Sequence, residues 1–340
     1  MGSGDFQTFS AIGYLFARGL QAALAPLFPQ LPIGVISANW GGTCLSSWVP
    51  EDGAAAACGQ TGTSGSFNLY NGLIAPLTHG PITIAGILFS QGECDADCNN
   101  TAYYACAFPK FIDDWRTRFA SGAGDFAETF FGFQVLPAYV NDSGRFNPYS
   151  LPFERAAQLT GLRAPGAVYA ANSIDLGDAT APHGSVHPRH KQAVAARLVA
   201  AALALVYDVP TPYLAPAYAR ADAVVDAAGA TVTISFANAT GNCGALELRD
   251  AACPVGVGGL PLSECAWFDI QDEAGVWHNA TGVALSAAST QLVLTVPRFA
   301  GAVNATRGYW SPWPVVGLFS VEGFPALPWW AAVDSSTAGR

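Results

Sequence analysis

The stretch GAVYAANSIDLGDATAPHGSVHPRHKQAVAARLVAAALALVY, residues 166–207, decides the fold. Its opening, GAVYAANSI, is apolar without alternation, the pattern of a strand buried on both faces, as in parallel sheets. Its close, Lys191 to Tyr207, is an alanine- and leucine-rich run of helical length. Between them lies a loop with two acids, Asp175 and Asp178, and three histidines, His183, His187 and His190. A loop leaving the carboxyl end of a strand is where open α/β sheets place their chemistry. Pro188, straight after His187, suits the first turn of a helix, which tolerates a missing N–H. A histidine held there is a candidate general base near neutral pH. A capping or loop histidine would look the same, so this stretch alone leaves both readings open.

Upstream, the spacing predicts a helix over Phe9–Leu24 that ends before Pro26, then a short buried strand over Pro32–Ser37. A second strand is expected within Ile82–Glu93, a third over Thr129–Pro137 and a fourth over the opening of the deciding stretch. Helices are expected over Leu69–Leu77, over Tyr103–Phe119 with a break at Pro109, and over Pro152–Leu162. Strands and helices that alternate imply a parallel sheet with helices on both faces. Three strand ends carry glycine or polar residues: Gly41–Gly42, Gln91–Glu93 and Asp175–His187. In such a sheet they converge on one crevice. Paired glycines after a buried strand let the backbone turn sharply or offer N–H groups to an oxyanion. Glu93 at a strand end can orient a histidine, as the acid of a triad does, or simply face water.

The texture changes near Val209, where a proline-rich connector precedes short strand patterns at TVTISF, ALELRD, AWFDI and QLVLTV. An α/β domain over residues 1–208 and a β-sandwich-like domain over 209–340 are therefore expected. Cys253 and Cys265 flank a glycine-rich loop that a disulfide would close.

Hydrophobic residues make up 51% of the chain and charged residues 12%, enough for a large core. With 15 basic residues against 25 acidic ones the net charge is −10, which argues against nucleic acid or an anionic membrane as partner. No apolar run reaches the ~18–20 residues that a bilayer requires. The start, MGSGDFQTFS, has no signal-peptide pattern. The eight cysteines and the N-x-S/T sequons at Asn99, Asn141, Asn238, Asn279 and Asn304 nevertheless point to a secreted, lysosomal or otherwise extracellular glycoprotein. The expectation that reconciles these is a segment upstream of Met1.

The three loop histidines lack the cysteine or carboxylate spacing of a zinc site. Asp95-Ala-Asp97-Cys-Asn99 begins like a calcium loop but lacks its later glycine and acid. No metal and no cofactor are expected. Cys94 and Cys98 read as a disulfide, or as partners of other cysteines, rather than as a redox pair. There is no G-x-S-x-G; Gly62–Ser66 only approximates it.

Taken in order, NWGGT, YNGLIAPL, ILFSQGECDA, AFPKFIDDWR, FQVLP, ERAAQLTG, DLGD, HGSVHPRHKQAVAARL and the tail YWSPWPVVGLFSVEGFPALPWW resemble the sialate O-acetylesterase family, among the SGNH-type carbohydrate esterases. The resemblance runs from about Phe9 to Trp330. It implies a flavodoxin-like, three-layer α/β fold that removes acetyl groups from sugars by serine–histidine chemistry, with an O-acetylated carbohydrate such as sialic acid as substrate. By position, His187 matches the catalytic histidine and Gly42 the oxyanion glycine. Gln91 matches the polar residue that completes the oxyanion hole. The acid is Asp178, Asp175 or Glu93. The family's cysteines before Trp267 imply a Cys253–Cys265 disulfide. The nucleophilic serine of the family's G-Q-S-N motif has no match, and losing the strand that carries it would leave a gap inside the sheet. A non-catalytic sugar-binding protein is the competing expectation.

Overall fold

The computed structural model of the protein describes residues 9–59, 66–79, 82–120, 129–140, 148–237, 245–250 and 267–333. Two compact units emerge. The first comprises Met1–Leu136, Phe153–Leu176 and His187–Thr211; the second comprises Pro137–Pro152, Gly177–Val186 and Pro212–Arg340. The change of texture at Val209 thus lies within two residues of the last switch, at Thr211–Pro212. Two excursions, 137–152 and 177–186, carry α/β sequence into the second unit.

The first unit is built on a parallel sheet of β1 (Gly86–Phe89), β2 (Phe130–Val135) and β3 (Val168–Asn172), in that order. Its helices are α1 (Ala11–Leu24), α2 (Ala75–Thr78), α3 (Glu93–Asp97), α4 (Thr101–Ala120), α5 (Leu151–Leu159) and α6 (Lys191–Val206). Ser10 caps α1, its hydroxyl accepting from the Gly13 N–H at 3.1 Å. The period of 2 along β2 shows that helices cover both faces. Phe131 and Phe133 meet Phe108 of α4 at 6.4 and 5.0 Å between centroids. Between them Gly132 faces the other way, where an added Cβ would lie 2.6 Å from Leu198 of α6. α1 in turn packs on α6. The layers are therefore α4, sheet and α6, the flavodoxin-like order expected. Phe89, Phe108, Phe111, Trp115, Phe131 and Phe133 form a continuous aromatic core.

Two expectations are corrected. Pro32–Ser37 is not a strand, and Val35 and Ile36 are 37% and 53% exposed. A strand exists only when its backbone finds a ladder. Among the described residues β1 pairs with β2 alone, and residues 32–37 are laddered to neither edge of the sheet. Nor does α4 break at Pro109, which sits inside twenty continuous helical residues. Proline removes one helical hydrogen bond, but the buried Phe108, Phe111 and Ile112 hold the flanking turns against the core. The Cys58–Cys106 disulfide fastens the same helix to residues 54–58.

Beyond its connector, the regular elements among the described residues of the second unit are all β-strands. One sheet orders β4 (Ala217–Asp226), β5 (Gly229–Ala237), β10 (Gln291–Pro297) and β9 (Gly282–Leu285), all antiparallel. The other orders β13 (Trp329–Ala332), β11 (Val303–Gly308), β7 (Phe268–Asp272) and β8 (Trp277–Asn279). β6 (Leu246–Leu248) and β12 (Leu318–Ser320) form a two-stranded ladder. Trp329 of β13 meets Phe236 of β5 at 5.6 Å and Phe268 at 5.4 Å, so the two larger sheets pack face to face as a sandwich. Cys253 and Cys265 lie outside the described residues.

Candidate active site

The centre of the site is the end of β1, where Gln91, Gly92 and Glu93 lead into α3. Gly92 has φ +149, and a Cβ there would meet Gln158 Nε2 at 2.8 Å, so only glycine fits between strand and helix. Gln158 of α5 is the reason for the tight fit. Its Nε2 donates to the carbonyls of Gln91 (2.9 Å) and Gln134 (3.1 Å), and its Oε1 accepts from the Leu136 N–H (2.9 Å). One fully buried amide thereby fixes the ends of β1 and β2 together.

The glycine turn is hung from this block by three links. Cys44 is disulfide-bonded to Cys94. Gln91 Nε2 donates to the Thr43 carbonyl at 3.0 Å, and the Leu45 N–H donates to Asp95 Oδ2 at 2.8 Å. Gly42, at φ +71, is exposed with open space where a Cβ would go. A turn held this way presents backbone to a ligand at fixed distance from the strand end. The disulfide closes a loop with sequence separation 50, which contributes about 4 kcal/mol by restricting the unfolded chain.

Asp95 is the anchor that sequence reasoning missed, having weighed it only as part of a failed calcium loop. It is fully buried and accepts from Leu45 N–H, from Gln91 Nε2 (2.7 Å) and from Asn100 Nδ2 (2.8 Å). Burial raises its carboxyl pKa against the lowering by these three donors. Gln91 spends both Nε2 hydrogens on Thr43 and Asp95, while its buried Oε1 has no hydrogen-bond partner among the described residues. In this arrangement the amide is a strut under the turn; to serve an oxyanion it must release one of the two.

Glu93, half-buried at the start of α3, has its carboxyl raised by burial, with the positive charge of Lys191 opposing. Lys191, the first residue of α6, is lowered by burial, with Glu93 opposing. His187 is exposed and falls in the first unit, four residues before α6. The helix starts at Lys191, so Pro188 precedes it instead of filling its first turn, and His190 occupies the cap position without a side-chain cap bond. Asp175 is committed elsewhere: Arg197 of α6 grips it with two bonds of 2.8 and 2.7 Å and also donates to the Asn172 carbonyl. Asp178 belongs to the second unit, buried, its Oδ1 accepting from the Thr180 N–H and hydroxyl at 3.2 Å. Ser46 is buried in a short 3-10 turn over Leu45–Ser47.

Glu154 of α5 is fully buried, and among the described residues neither carboxyl oxygen has a hydrogen-bond partner. Burial lifts its pKa well above the ordinary range, and the charges of Asp95 and Glu93 add to the rise. Three acids of one unit are thus raised. Each binds protons more tightly folded than unfolded, so the slope of stability with pH is negative between the unfolded pKa, about 4, and the higher folded value. Their contribution is complete below about pH 4 and lost as pH rises through the folded values. The melting temperature is therefore expected to rise on acidification from pH 7 towards about 5, with a shallower slope in Glu154→Gln. Calorimetry across that range, with both proteins showing the same slope, would count against this account of the buried acids.

Residues 7–123 match the family of carbohydrate esterases described as sialic acid-specific acetylesterases. The sialate O-acetylesterases of Homo sapiens and Pongo abelii are each 34% identical to this chain over 61% of its length and 41% of theirs. The Mus musculus enzyme is 31% identical over 61% of the chain and 44% of its own length. Over these stretches the chain is similar to the sialate O-acetylesterases. It spans about two fifths of the length of these relatives. A carbohydrate acetylesterase from Xanthomonas citri, at 24% identity, superposes with a TM-score of 0.72 over 95% of this chain and 65% of its own, a likeness of fold. Within the family motifs, the Q-G-E block and the W-G-G-T turn are brought together here. Gln158, of the ERAAQLTG motif, supports them from beneath, a role that only the folded chain reveals.

Proposed function

We propose that this chain carries the base and the oxyanion side of a carbohydrate O-acetylesterase that acts on acetylated sugars such as O-acetyl sialic acid. The observation that supports it most is the Gly42 turn, tied by a disulfide and two hydrogen bonds to the Gln91–Glu93 block at the open end of the sheet. In this reading a serine hydroxyl attacks the acetyl carbonyl and His187 takes its proton. The Gly42 N–H receives the oxyanion. The alcohol leaves with the proton from His187, and water then releases acetate by the reverse sequence. In this reading the motifs that carry the resemblance do not include that serine. The reaction needs a serine-bearing strand beside β1, whose outer edge is unpaired among the described residues.

The bidentate grip of Arg197 on Asp175 favours Glu93 or Asp178 as the acid partner in this reading. Acetate release from an O-acetylated sialoside tests the reading in a chain extended by the serine-bearing strand. Of Glu93→Gln and Asp178→Asn, the one that removes the partner is expected to cost about 10³–10⁴-fold in turnover and the other little. Full activity in both would refute a histidine steadied by either acid. The two disulfides and the sequons support an oxidising, secretory or lysosomal setting. No described helix is long and apolar enough to cross a membrane.

A further inference from the structure

Cys98 ends α3 one turn after Cys94, its N–H bonded to the Cys94 carbonyl at 3.0 Å. Among the described residues it is a free, exposed thiol. The sulfurs of Cys44, Cys94 and Cys98 all lie within 4.8 Å of one another. Such a trio suggests a metal, but Cys44 and Cys94 are already bonded to each other, which leaves one thiolate where a soft ion needs several. A thiol against a disulfide has a different chemistry.

We propose that these three cysteines form a thiol–disulfide exchange site that can uncouple the Gly42 turn from the Gln91–Glu93 block. The Cys98 thiolate attacks Cys94 Sγ. The Cys98–Cys94 bond forms, the Cys44–Cys94 bond breaks, and the electron pair leaves on Cys44, which takes up a proton. One disulfide and one thiol stand on each side, so no oxidant or reductant is consumed. The product is sterically admissible: residues four apart on a helical turn have Cα atoms about 6 Å apart, inside the span a disulfide bridges. The consequence is asymmetric. The starting bond ties residues separated by 50 in sequence, whereas the product closes a single turn and constrains almost nothing else. After exchange, two of the three links described above remain between the turn and the block, the Gln91–Thr43 and Asp95–Leu45 hydrogen bonds. Its effect on ester hydrolysis rests on the proposed function; the exchange itself does not.

The test is disulfide mapping of the full chain held folded at neutral pH, quenched in acid, alkylated and digested without reductant. Two species are expected. The major one has Cys44–Cys94 with alkylated Cys98; the minor one has Cys94–Cys98 with alkylated Cys44. Cys58–Cys106 stays intact in both, which separates exchange from general scrambling. Cys98→Ser is expected to abolish the minor species. Gln91→Leu, which removes one anchor of the turn, is expected to raise it about fivefold, the factor that one net hydrogen bond gives. Cys44 that never becomes alkylated in the wild-type chain would overturn the proposal. So would Cys98 bonded to Cys44 or to any other cysteine.

Discussion

Replacing His187 by alanine is expected to lower turnover of an acetyl ester by roughly 10⁴-fold or more, measured in a chain extended by the serine-bearing strand. The magnitude follows from the unit behaviour of a nucleophile and its base: removing either leaves only what the oxyanion donors and binding supply. The environment of His187 is compatible with the task. It is exposed and belongs to the same unit as Gly42, Gln91 and Glu93. His183→Ala and His190→Ala are expected to change turnover by no more than a few-fold. Neither matches a catalytic position in the resemblance, and His190 occupies the cap position of α6 without a side-chain cap bond. If His183 proved the indispensable histidine, the reading of this loop would be wrong.

The second large effect concerns the nucleophile. The 340 residues alone are expected to hydrolyse an activated acetyl ester on the order of 10⁶ more slowly than the extended chain. On the proposed reading they keep the base His187 and the oxyanion donor Gly42, which can still accelerate the reaction ~10³-fold over water. The nearest stand-ins in sequence to the glycine turn are Ser46 and Ser47. Ser46 is 4% exposed and its carbonyl is engaged by the Phe67 N–H, so it is built into the core side of its turn. The Ser46→Ala/Ser47→Ala double variant is therefore expected to leave the residual rate unchanged. Robust turnover by the 340 residues that vanishes in the double variant would reveal a relocated nucleophile.

Much of this was legible in the sequence because it depends on local pattern. The unbroken apolar runs of β1, β2 and β3 and the helical stripe of α1 report burial directly, and the structure places all four where the pattern does. Pro32–Ser37 carries the same apolar signature but forms no strand, because pairing is a property of neighbours and not of the run itself. Pro109 does not break α4 for a related reason: helix propensity is local, whereas the aromatic packing that overrides it is not. The pairing of Cys44 with Cys94 and of Cys58 with Cys106 spans about fifty residues each, and spacing carries no information on such partners. Asp95 and Gln158 were hidden for another reason. Their weight comes from donors and acceptors that converge only after β1, α5 and the glycine turn have docked. The exchange of segments 137–152 and 177–186 with the second unit left no mark in composition at all.

Release of acetate from an O-acetylated sialoside, followed directly by the appearance of acetate and of the de-acetylated sugar, tests the central claim. The extended chain is expected to release one acetate per sugar product, with the glycosidic bond intact. Both His187→Ala and the unextended 340 residues are expected to release essentially none. Tight binding of the sialoside by the extended chain with no acetate released would contradict the account and leave a sugar-binding protein in its place.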